Sequence, residues 1–414
     1  MKFEEMPELD ASVAGPFRSL EKSLFAQREA MEQWFTAQWQ KTPPPVYGSV
    51  DLRNAGFKLA PIDMNLFPAG FNNLNPRFLS VSAQAAQSTI LRLVPQAKRI
   101  LIIPESHTRN LVYWQNIDIL KKILEETAFS VRIGFLDLEK AEEINLSAEK
   151  KILIEPLQRK GNQLSLAGFQ PDFVLLNNDL SAGIPEILQG LAHPIFPPAE
   201  LGWSQRLKSE HFRYYADVSK EFAEAMAIDP WLITPFFQQC GQIDFMQQEG
   251  IECLVADVET LLTKIQKKYD EYTIPHKPFV IVKADAGTYG MAVMTVREVS
   301  ELKTMNRKQR TRMAMTKGGQ PVRQVIIQEG VYTFETVKSI QAVAEPVVYL
   351  WGQCVVGGFY RVHETRGIDE NLNTPGMQFI PLPFLQSCHE PANAFYLYGV
   401  VARLSMLAAA REIV

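Results

Sequence analysis

The segment that most constrains the fold is PFVIVKADAGTYGMAVMTV, residues 278–296. An apolar, β-branched run leads to Lys283, a loop with two glycines follows, and a second apolar run ends the segment. This order predicts two antiparallel strands joined by a glycine-containing loop. Glycine lets backbone N–H groups approach an anion closely, and a neighbouring lysine adds positive charge. The segment therefore predicts either a phosphate-binding hairpin or an ordinary hairpin with a solvated lysine.

Composition limits the class of protein. The chain has 414 residues, enough for two or three domains, and its 46% hydrophobic and 21% charged residues are typical of a globular protein. A formal net charge of −4 gives no reason to expect nucleic acid or an anionic membrane as a partner. No apolar run approaches the roughly 20 residues that span a bilayer. The acidic first residues lack the apolar core of a signal peptide, so we expect a cytoplasmic protein.

The cysteines give no sign of a metal site. The chain contains Cys240, Cys253, Cys354 and Cys388, and none of them forms a CxxC pair. Their spacings match no zinc-binding pattern. We therefore expect reduced thiols, most of them buried.

Residues 99–198 alternate between apolar strand patterns and helical patterns, which favours a mostly parallel α/β sheet. We assign residues 1–200 to this N-terminal α/β domain, which would contribute to substrate binding. Ligands of such sheets bind beyond the carboxyl ends of the strands. Two polar clusters follow predicted strands there, at residues 105–109 and 177–179. Each cluster is either the edge of a binding cleft or a set of helix caps.

Residues 17–41 have the apolar spacing of a helix, and the segment after them is unusual. Residues 49–75 are rich in Asn, Gly and Pro yet contain several large apolar side chains, which is typical of an ordered loop. Such a loop either binds substrate or uses its Asn side chains on its own backbone. Its polar candidates for substrate binding are Arg53, Lys58, Asp63, Asn65, Asn72 and Asn73.

Residues 201–414 contain a helical region, the Lys283 hairpin, a basic stretch at 307–317, and further apolar strands. The basic stretch is either an exposed helix face or a cover for phosphates. One strand ends in Gln328 and Glu329, a hairpin ends in Arg361, and the segment NLN supplies Asn371 and Asn373. The last segment predicts a helix with one apolar face.

The order of these elements resembles the ATP-grasp superfamily, in which two α+β subdomains clamp ATP. The resemblance implies an ATP-grasp-like nucleotide-binding and catalytic domain over residues 201–414. It implies that Lys283 contacts the α-phosphate, that Arg361 holds the transferring phosphate, and that both are catalytic. Two further sets would bind the nucleotide. The loop over the β- and γ-phosphates would contain Gly287, Thr288, Tyr289, Gly290 and Met291; the adenine hinge would contain Gln328, Glu329 and Val331.

A closer resemblance is carried by SVDLRNAGFKLAPIDMNLFPAGFNNLN together with KADAGTYGMAVMTV. Both motifs resemble the proteobacterial glutamate–cysteine ligase family related to glutathione synthetase. The resemblance implies an enzyme that uses ATP and Mg²⁺ to join the glutamate γ-carboxylate to the cysteine amine through an acyl phosphate. Arg53, Arg109 or Arg366 would hold the glutamate α-carboxylate. The alternatives are another carboxylate–amine ligase of the same fold and a non-catalytic nucleotide-binding protein. The sequence leaves the oligomeric state open and is compatible with a homo-oligomer.

One departure from the superfamily concerns the metal. ATP-grasp enzymes usually end with a strand that carries an acidic residue and an Asn for magnesium, and no such strand is visible after Pro383. Mg²⁺ prefers hard oxygen ligands and can keep several waters, so two or three protein ligands suffice. We expect them to be Glu364, Asn371 and Asn373, with Glu345, Asp369 and Glu370 as alternatives.

Overall fold

A computed structural model describes residues 9–11, 16–106, 110–192, 194–287, 292–316, 319, 321–337, 339–382 and 396–413. Within them the helices are α1 Pro16–Ala26, α2 Arg28–Lys41, α3 Leu79–Leu93, α4 Leu111–Glu125, α5 Lys208–Met226, α6 Ile251–Glu271, α7 Ser300–Lys303, α8 Arg307–Ala314 and α9 Tyr396–Ile413. The strands up to residue 200 are β1 Leu9–Ala11, β2 Tyr47–Asn54, β3 Leu59–Asn65, β4 Arg99–Pro104, β5 Ser130–Phe135, β6 Glu142–Asn145, β7 Lys151–Pro156, β8 Gln158–Lys160, β9 Gln163–Ser165, β10 Phe173–Asn177 and β11 Ile195–Phe196. Those after it are β12 Phe237–Gly241, β13 Val280–Ala284, β14 Val293–Val296, β15 Gln324–Glu329, β16 Glu335–Val337, β17 Ala342–Trp351, β18 Cys354–His363 and β19 Gln378–Pro381.

The first large sheet is mostly parallel and has the strand order β11-β10-β4-β5-β7-β6. All neighbours run parallel except β6 and β7. Its central strands β4 and β10 are apolar and buried, as expected of strands covered on both faces. Their carboxyl ends therefore point to one edge, where Glu105 and Asp179 follow them. The α/β fold class predicted from the sequence is confirmed.

The Lys283 hairpin forms part of a four-stranded antiparallel sheet with the order β12-β15-β13-β14. The predicted pairing is confirmed, because β13 pairs with β14 and Lys283 lies opposite Val293. Side chains alternate along β13, so Val280 and Val282 are fully buried on the face that α6 covers. Lys283 lies on the opposite face.

A seven-stranded sheet completes the core of the second half. It has the order β1-β16-β17-β18-β19, and β2 also pairs with β17 while β3 pairs with β2. The hairpin of β2 and β3, from residues 47–65, is therefore built into a sheet whose other long strands follow residue 341. The prediction of an irregular loop over residues 49–75 was wrong for most of this segment, because apolar side chains anchor its first part as two paired strands. The domain division at residue 200 stays a prediction, and this sheet draws strands from both sides of it.

Two helical predictions differ from the structure. The pattern over residues 17–41 forms two helices, α1 and α2, that break at Gln27. Helix α9 has buried residues on all sides rather than on one face, because it packs between α5 and strands β2, β3, β17 and β18. Although α9 is strongly apolar, none of the described helices combines the length and apolar character needed to cross a membrane.

Candidate active site

A cavity of about 400 Å³ lies where the three sheets meet. Strands β2, β3, β17 and β18 form one wall, β13 and β15 form another, and the carboxyl ends of β4 and β10 close a third side. Lys283 and Arg361 both line this cavity. The sequence places these residues on separate hairpins, and the fold brings them to one space.

On the seven-stranded sheet, four charged side chains form a buried cluster. Arg361 Nη1 donates to Asp51 Oδ2 at 2.9 Å and to Glu345 Oε1 at 2.6 Å. Glu345, which is 1% exposed, accepts a further bond from Arg53 Nε at 2.9 Å. Burial opposes the charge on Arg361, but Asp51 and Glu345 outweigh it and raise the pKa of the guanidinium above its usual range. Arg361 therefore stays charged.

The other nitrogens of Arg53 are also engaged. Nη1 donates to the carbonyl of Val331 at 3.2 Å, and Nη2 donates to the carbonyl of Glu370. Arg53 lines the cavity, as predicted for a substrate-binding residue. A substrate carboxylate would have to compete with these bonds, so the geometry favours a role in holding Glu345 and the β15 segment together.

On the four-stranded sheet the charges are arranged differently. Lys283 Nζ donates to the backbone carbonyl of Ile62 at 2.6 Å. Burial lowers the pKa of Lys283 to about 8, although the nearby Asp63 carboxylate opposes the shift. Lys208 Nζ lies 3.0 Å from Asp63 Oδ1 and 3.7 Å from the centre of the Trp203 ring. Sequence reasoning missed Lys208, which begins α5 and gives no motif of its own.

Hard oxygen donors reach the cavity from β2 and β3, through Asp51, Asp63 and Asn65. Burial raises the pKa of Asp63, but Lys208 and Lys283 outweigh it and hold this pKa well below its usual range, so the group is ionised. Burial raises the pKa of Asp51, and Arg361 opposes that shift. The hairpin of β2 and β3 thus brings two carboxylates and an amide to the cavity from the N-terminal side of the chain.

The predicted metal ligands are not all brought together. Asn371 and Asn373 line the cavity. Glu364 is exposed, accepts a hydrogen bond from Gln378 Nε2 at 2.9 Å, and is absent from the cavity wall. The structure therefore does not place Glu364 with the other two residues.

The predicted adenine hinge also lines the cavity, through Gln328, Glu329 and Val331. The Glu329 carboxylate is engaged by Lys58 Nζ at 2.8 Å and by the Trp231 indole nitrogen at 3.0 Å. The carboxylate of Glu329 is thus engaged by other protein groups, so this side chain is not positioned to bind a base.

Some buried polar atoms on the cavity wall lack a hydrogen-bond partner within the described part of the chain. They are Gln328 Nε2, Arg361 Nε and Asn72 Oδ1. A buried donor or acceptor without a partner costs about 1–3 kcal/mol, so these positions favour a polar ligand. A nucleotide with hydroxyl, amine and phosphate groups fits this chemistry.

The loop after β3 is held in place by helix α4 and by the end of strand β10. Asn116 Oδ1 accepts from the backbone N–H groups of Gly70 and Phe71 at 2.9 and 3.0 Å. Asn177 Nδ2 donates to the carbonyl of Pro68 at 2.9 Å. The loop is ordered, and its residues Asn72 and Asn73 line the cavity together with Asn65. Asn65 also uses its side chain on its own backbone, since its Oδ1 accepts from the Phe67 N–H at 2.8 Å.

The remaining predicted residues do not all line the main cavity within the described part of the chain. Gly287 lines the main cavity, whereas Arg366 lines a second cavity of about 230 Å³ beside α8. Thr288, Tyr289, Gly290, Met291 and Arg109 lie outside the described residues.

The chain is similar to known proteins over nearly its whole length. A family model described as glutamate-cysteine ligase matches residues 21–413. The crystal structure of a protein from Methylobacillus flagellatus KT, provisionally assigned as a gamma-glutamylcysteine synthetase, has 50% sequence identity and a TM-score of 0.90, and the match covers 98% of each chain. No curated protein sequence matches significantly.

Two more distant structures have low scores. A glutathione synthetase-like effector from Globodera pallida has 11% identity and a TM-score of 0.39, over 88% of this chain and 82% of that one. D-alanyl-alanine synthetase A from Vibrio cholerae O1 biovar eltor has 12% identity and a TM-score of 0.29, over 75% of this chain and 81% of that one. Likeness at these TM-scores supports no inference about this chain.

Proposed function

Because this chain belongs to the glutamate–cysteine ligase family, we propose that its main cavity joins the γ-carboxylate of glutamate to the amine of cysteine with ATP as the energy source. One observation carries the proposal at the level of residues. Lys283 and Arg361, from hairpins far apart in the sequence, line a single cavity that also contains carboxylates and amides. Phosphoryl transfer needs this combination, because catalysis there is mostly positioning and charge stabilisation.

The reaction has two steps and needs no covalent bond to the enzyme. A γ-carboxylate oxygen attacks the γ-phosphorus of ATP, which releases ADP and forms an acyl phosphate. The cysteine amine then attacks the acyl carbon, phosphate leaves, and the amine loses a proton as the amide forms. Lys283 and Arg361 would oppose the phosphate charge, with Lys208 as a third cation on the same wall as Lys283. Binding within the cavity would shield the acyl phosphate from part of the solvent and so limit its hydrolysis.

The acidic residues on the wall fit a magnesium ion bound together with the phosphates of ATP. Asp51, Asp63 and Asn65 offer hard oxygen atoms, and Mg²⁺ commonly binds through one or two carboxylates plus substrate phosphates. When bound, the ion would neutralise phosphate charge. Asn371 and Asn373, predicted from the sequence, also lie on the wall and stay candidates.

The test is an assay of the purified protein with ATP, Mg²⁺, glutamate and cysteine. We expect phosphate release that requires both amino acids, and a dipeptide product identified by mass and by its γ-linkage. A panel of other amino acids would show whether the acceptor is cysteine. ATP binding in calorimetry without amino-acid-dependent turnover would contradict the proposal and favour a nucleotide-binding protein.

A further inference from the structure

Two thiols and a carboxylate meet outside the main cavity. They belong to Cys240 on β12 and to Cys253 and Asp257 on α6. One ligand atom from each residue lies within 4.8 Å of the other two. Cys253 and Asp257 are four residues apart in the helix, so they share one face. Cys240 comes from a strand on which α6 packs, and only the fold unites the three groups.

The spacing suits a thiophilic cation. In a tetrahedral zinc site with Zn–S near 2.3 Å and Zn–O near 2.1 Å, neighbouring ligand atoms are about 3.6–3.8 Å apart. The Cys253 sulfur and Asp257 Oδ2 are 3.8 Å apart. A disulfide instead requires the sulfurs to approach to about 2.05 Å. The arrangement is therefore closer to a set of metal ligands than to a cystine.

The environment of the carboxylate points the same way. Within the described ranges, Asp257 forms no salt bridge with a Lys, Arg or His side chain, although it is only partly exposed. Its Oδ2 instead contacts the Cys253 thiol. Cys240 is buried and Cys253 is exposed, so an ion could enter from solvent and reach both sulfurs. The site combines two soft ligands, one hard ligand and an access route.

We propose that Cys240, Cys253 and Asp257 form a binding site for a thiophilic divalent cation of the zinc class. The two thiols lose their protons to solvent as two sulfur–metal bonds form, and the carboxylate provides a third ligand. With three protein ligands, the fourth position of a tetrahedral ion is open to water or an added ligand. Softness of the sulfur ligands selects against Mg²⁺.

The site is separate from the proposed active site. Cys240 lies opposite Val325 in the register of β12 and β15, on the α6 face of the sheet, whereas Lys283 lies on the cavity face. Gln239, which is next to Cys240 on the strand but lies on the cavity face, donates from Nε2 to Asp285 Oδ2 at 2.9 Å. Asp285 is two residues beyond Lys283. Occupancy of the site would therefore fix the strand that holds the start of the phosphate loop.

The test is a titration of the full chain with Cd²⁺ in the presence of a phosphine reductant that contains no thiol. The intensity of the thiolate-to-cadmium charge-transfer absorption band measures binding. We expect one cadmium per chain, proton release on binding, and displacement of cadmium when Zn²⁺ is added. Loss of an outer-shell partner alone costs about 10- to 100-fold in metal affinity, so loss of a direct ligand should weaken binding at least about tenfold. Cys253→Ser and Asp257→Asn are the test variants, since neither residue is fully buried.

Cys354→Ser is the matched control, because Cys354 is a partly exposed thiol on β18 outside the site. It should bind cadmium like the unmodified chain. Equal affinity in Cys253→Ser and the unmodified chain would overturn the proposal, as would binding that Asp257→Asn leaves unchanged. The competing outcome is that mild peroxide joins Cys240 to Cys253, which a decrease in mass would detect. If this bond forms and the reduced protein shows no cadmium band, the two thiols are an oxidisable pair, and the proposal of a metal site is overturned.

Discussion

The two main walls of the cavity hold their cations in different ways. On the seven-stranded sheet, Arg361 is bound by Asp51 and Glu345 at 2.9 and 2.6 Å, and Glu345 also binds Arg53. On the four-stranded sheet, Lys283 donates to the backbone carbonyl of Ile62, and Asp63, a nearby carboxylate on β3 of the other wall, is paired with Lys208. The first wall is an electrically balanced, preassembled framework. On the second wall, Lys283 has no ion pair of its own among the described residues, so a phosphate would gain most from this charge.

The largest expected effect tests the balanced wall. Replacing Glu345 with Gln should lower the free energy of unfolding by about 3–5 kcal/mol, because two buried guanidinium groups lose their shared partner. Urea denaturation measures the change. Glu32→Gln is the matched control: Glu32 pairs with Arg403 at 2.7 Å but is 41% exposed, and its loss should cost at most about 1 kcal/mol. Equal losses in the two variants would contradict the picture of a preassembled framework.

The next prediction concerns the unbalanced wall. Lys283→Ala should lower kcat/KM for ATP by about 10²- to 10³-fold, or about 2.7–4 kcal/mol, because a preorganised charge facing the phosphates is lost. Its unfolding free energy should not fall, since the removed ammonium is buried without a carboxylate partner of its own. Steady-state kinetics with Lys267→Ala as an exposed control gives the comparison. A Lys283→Ala enzyme with unchanged use of ATP would refute the phosphate assignment.

A third prediction concerns Glu335, a second buried glutamate of the sheet that contains Glu345. Glu335 on β16 has no arginine partner among the described residues; it accepts from Asn54 at 3.0 Å, and burial raises its pKa to about 8. The unfolded chain releases this proton near pH 4.5, whereas the folded chain keeps it to about pH 8. Raising the pH between these values therefore favours unfolding, by about 2 kcal/mol from pH 5 to pH 7. Denaturation at several pH values should show this slope, and Glu335→Gln should lack it.

The smallest effect is the pH dependence of ATP binding. The pKa of Lys283 is about 8 in the free protein, so its positive charge disappears as the pH rises further. Bound phosphate would favour the protonated form, and the apparent ATP affinity should fall above pH 8, approaching tenfold per pH unit. Calorimetry in buffers of different ionisation enthalpy would detect proton uptake on binding at pH 8.5. Lys283→Arg should remove this pH dependence; an unchanged profile in that variant would assign it to another group, such as Lys58.

Much of the fold follows from local patterns, since the hairpin of β13 and β14 and the strands of the first sheet have strong apolar periodicity. The pairing of β2 with β17 does not follow from a local pattern, because nothing in the segment SVDLRN specifies a partner so distant in the chain. For the same reason the sequence could not reveal that Asp51 reaches the cavity, or that Glu345 lies between two arginines. The prediction of mostly buried thiols was wrong for the described cysteines, since only Cys240 is buried.

The position of β2 has a consequence for how the chain matures on the ribosome. Tyr47–Asn54 emerges early, but the strand that covers one of its edges, Ala342–Trp351, is made only near the end of synthesis. Until then the nascent hairpin has an open edge that can pair with other chains. A fragment that stops near residue 200 should therefore aggregate rather than fold, and the catalytic space should form only when the last third of the polypeptide has been made.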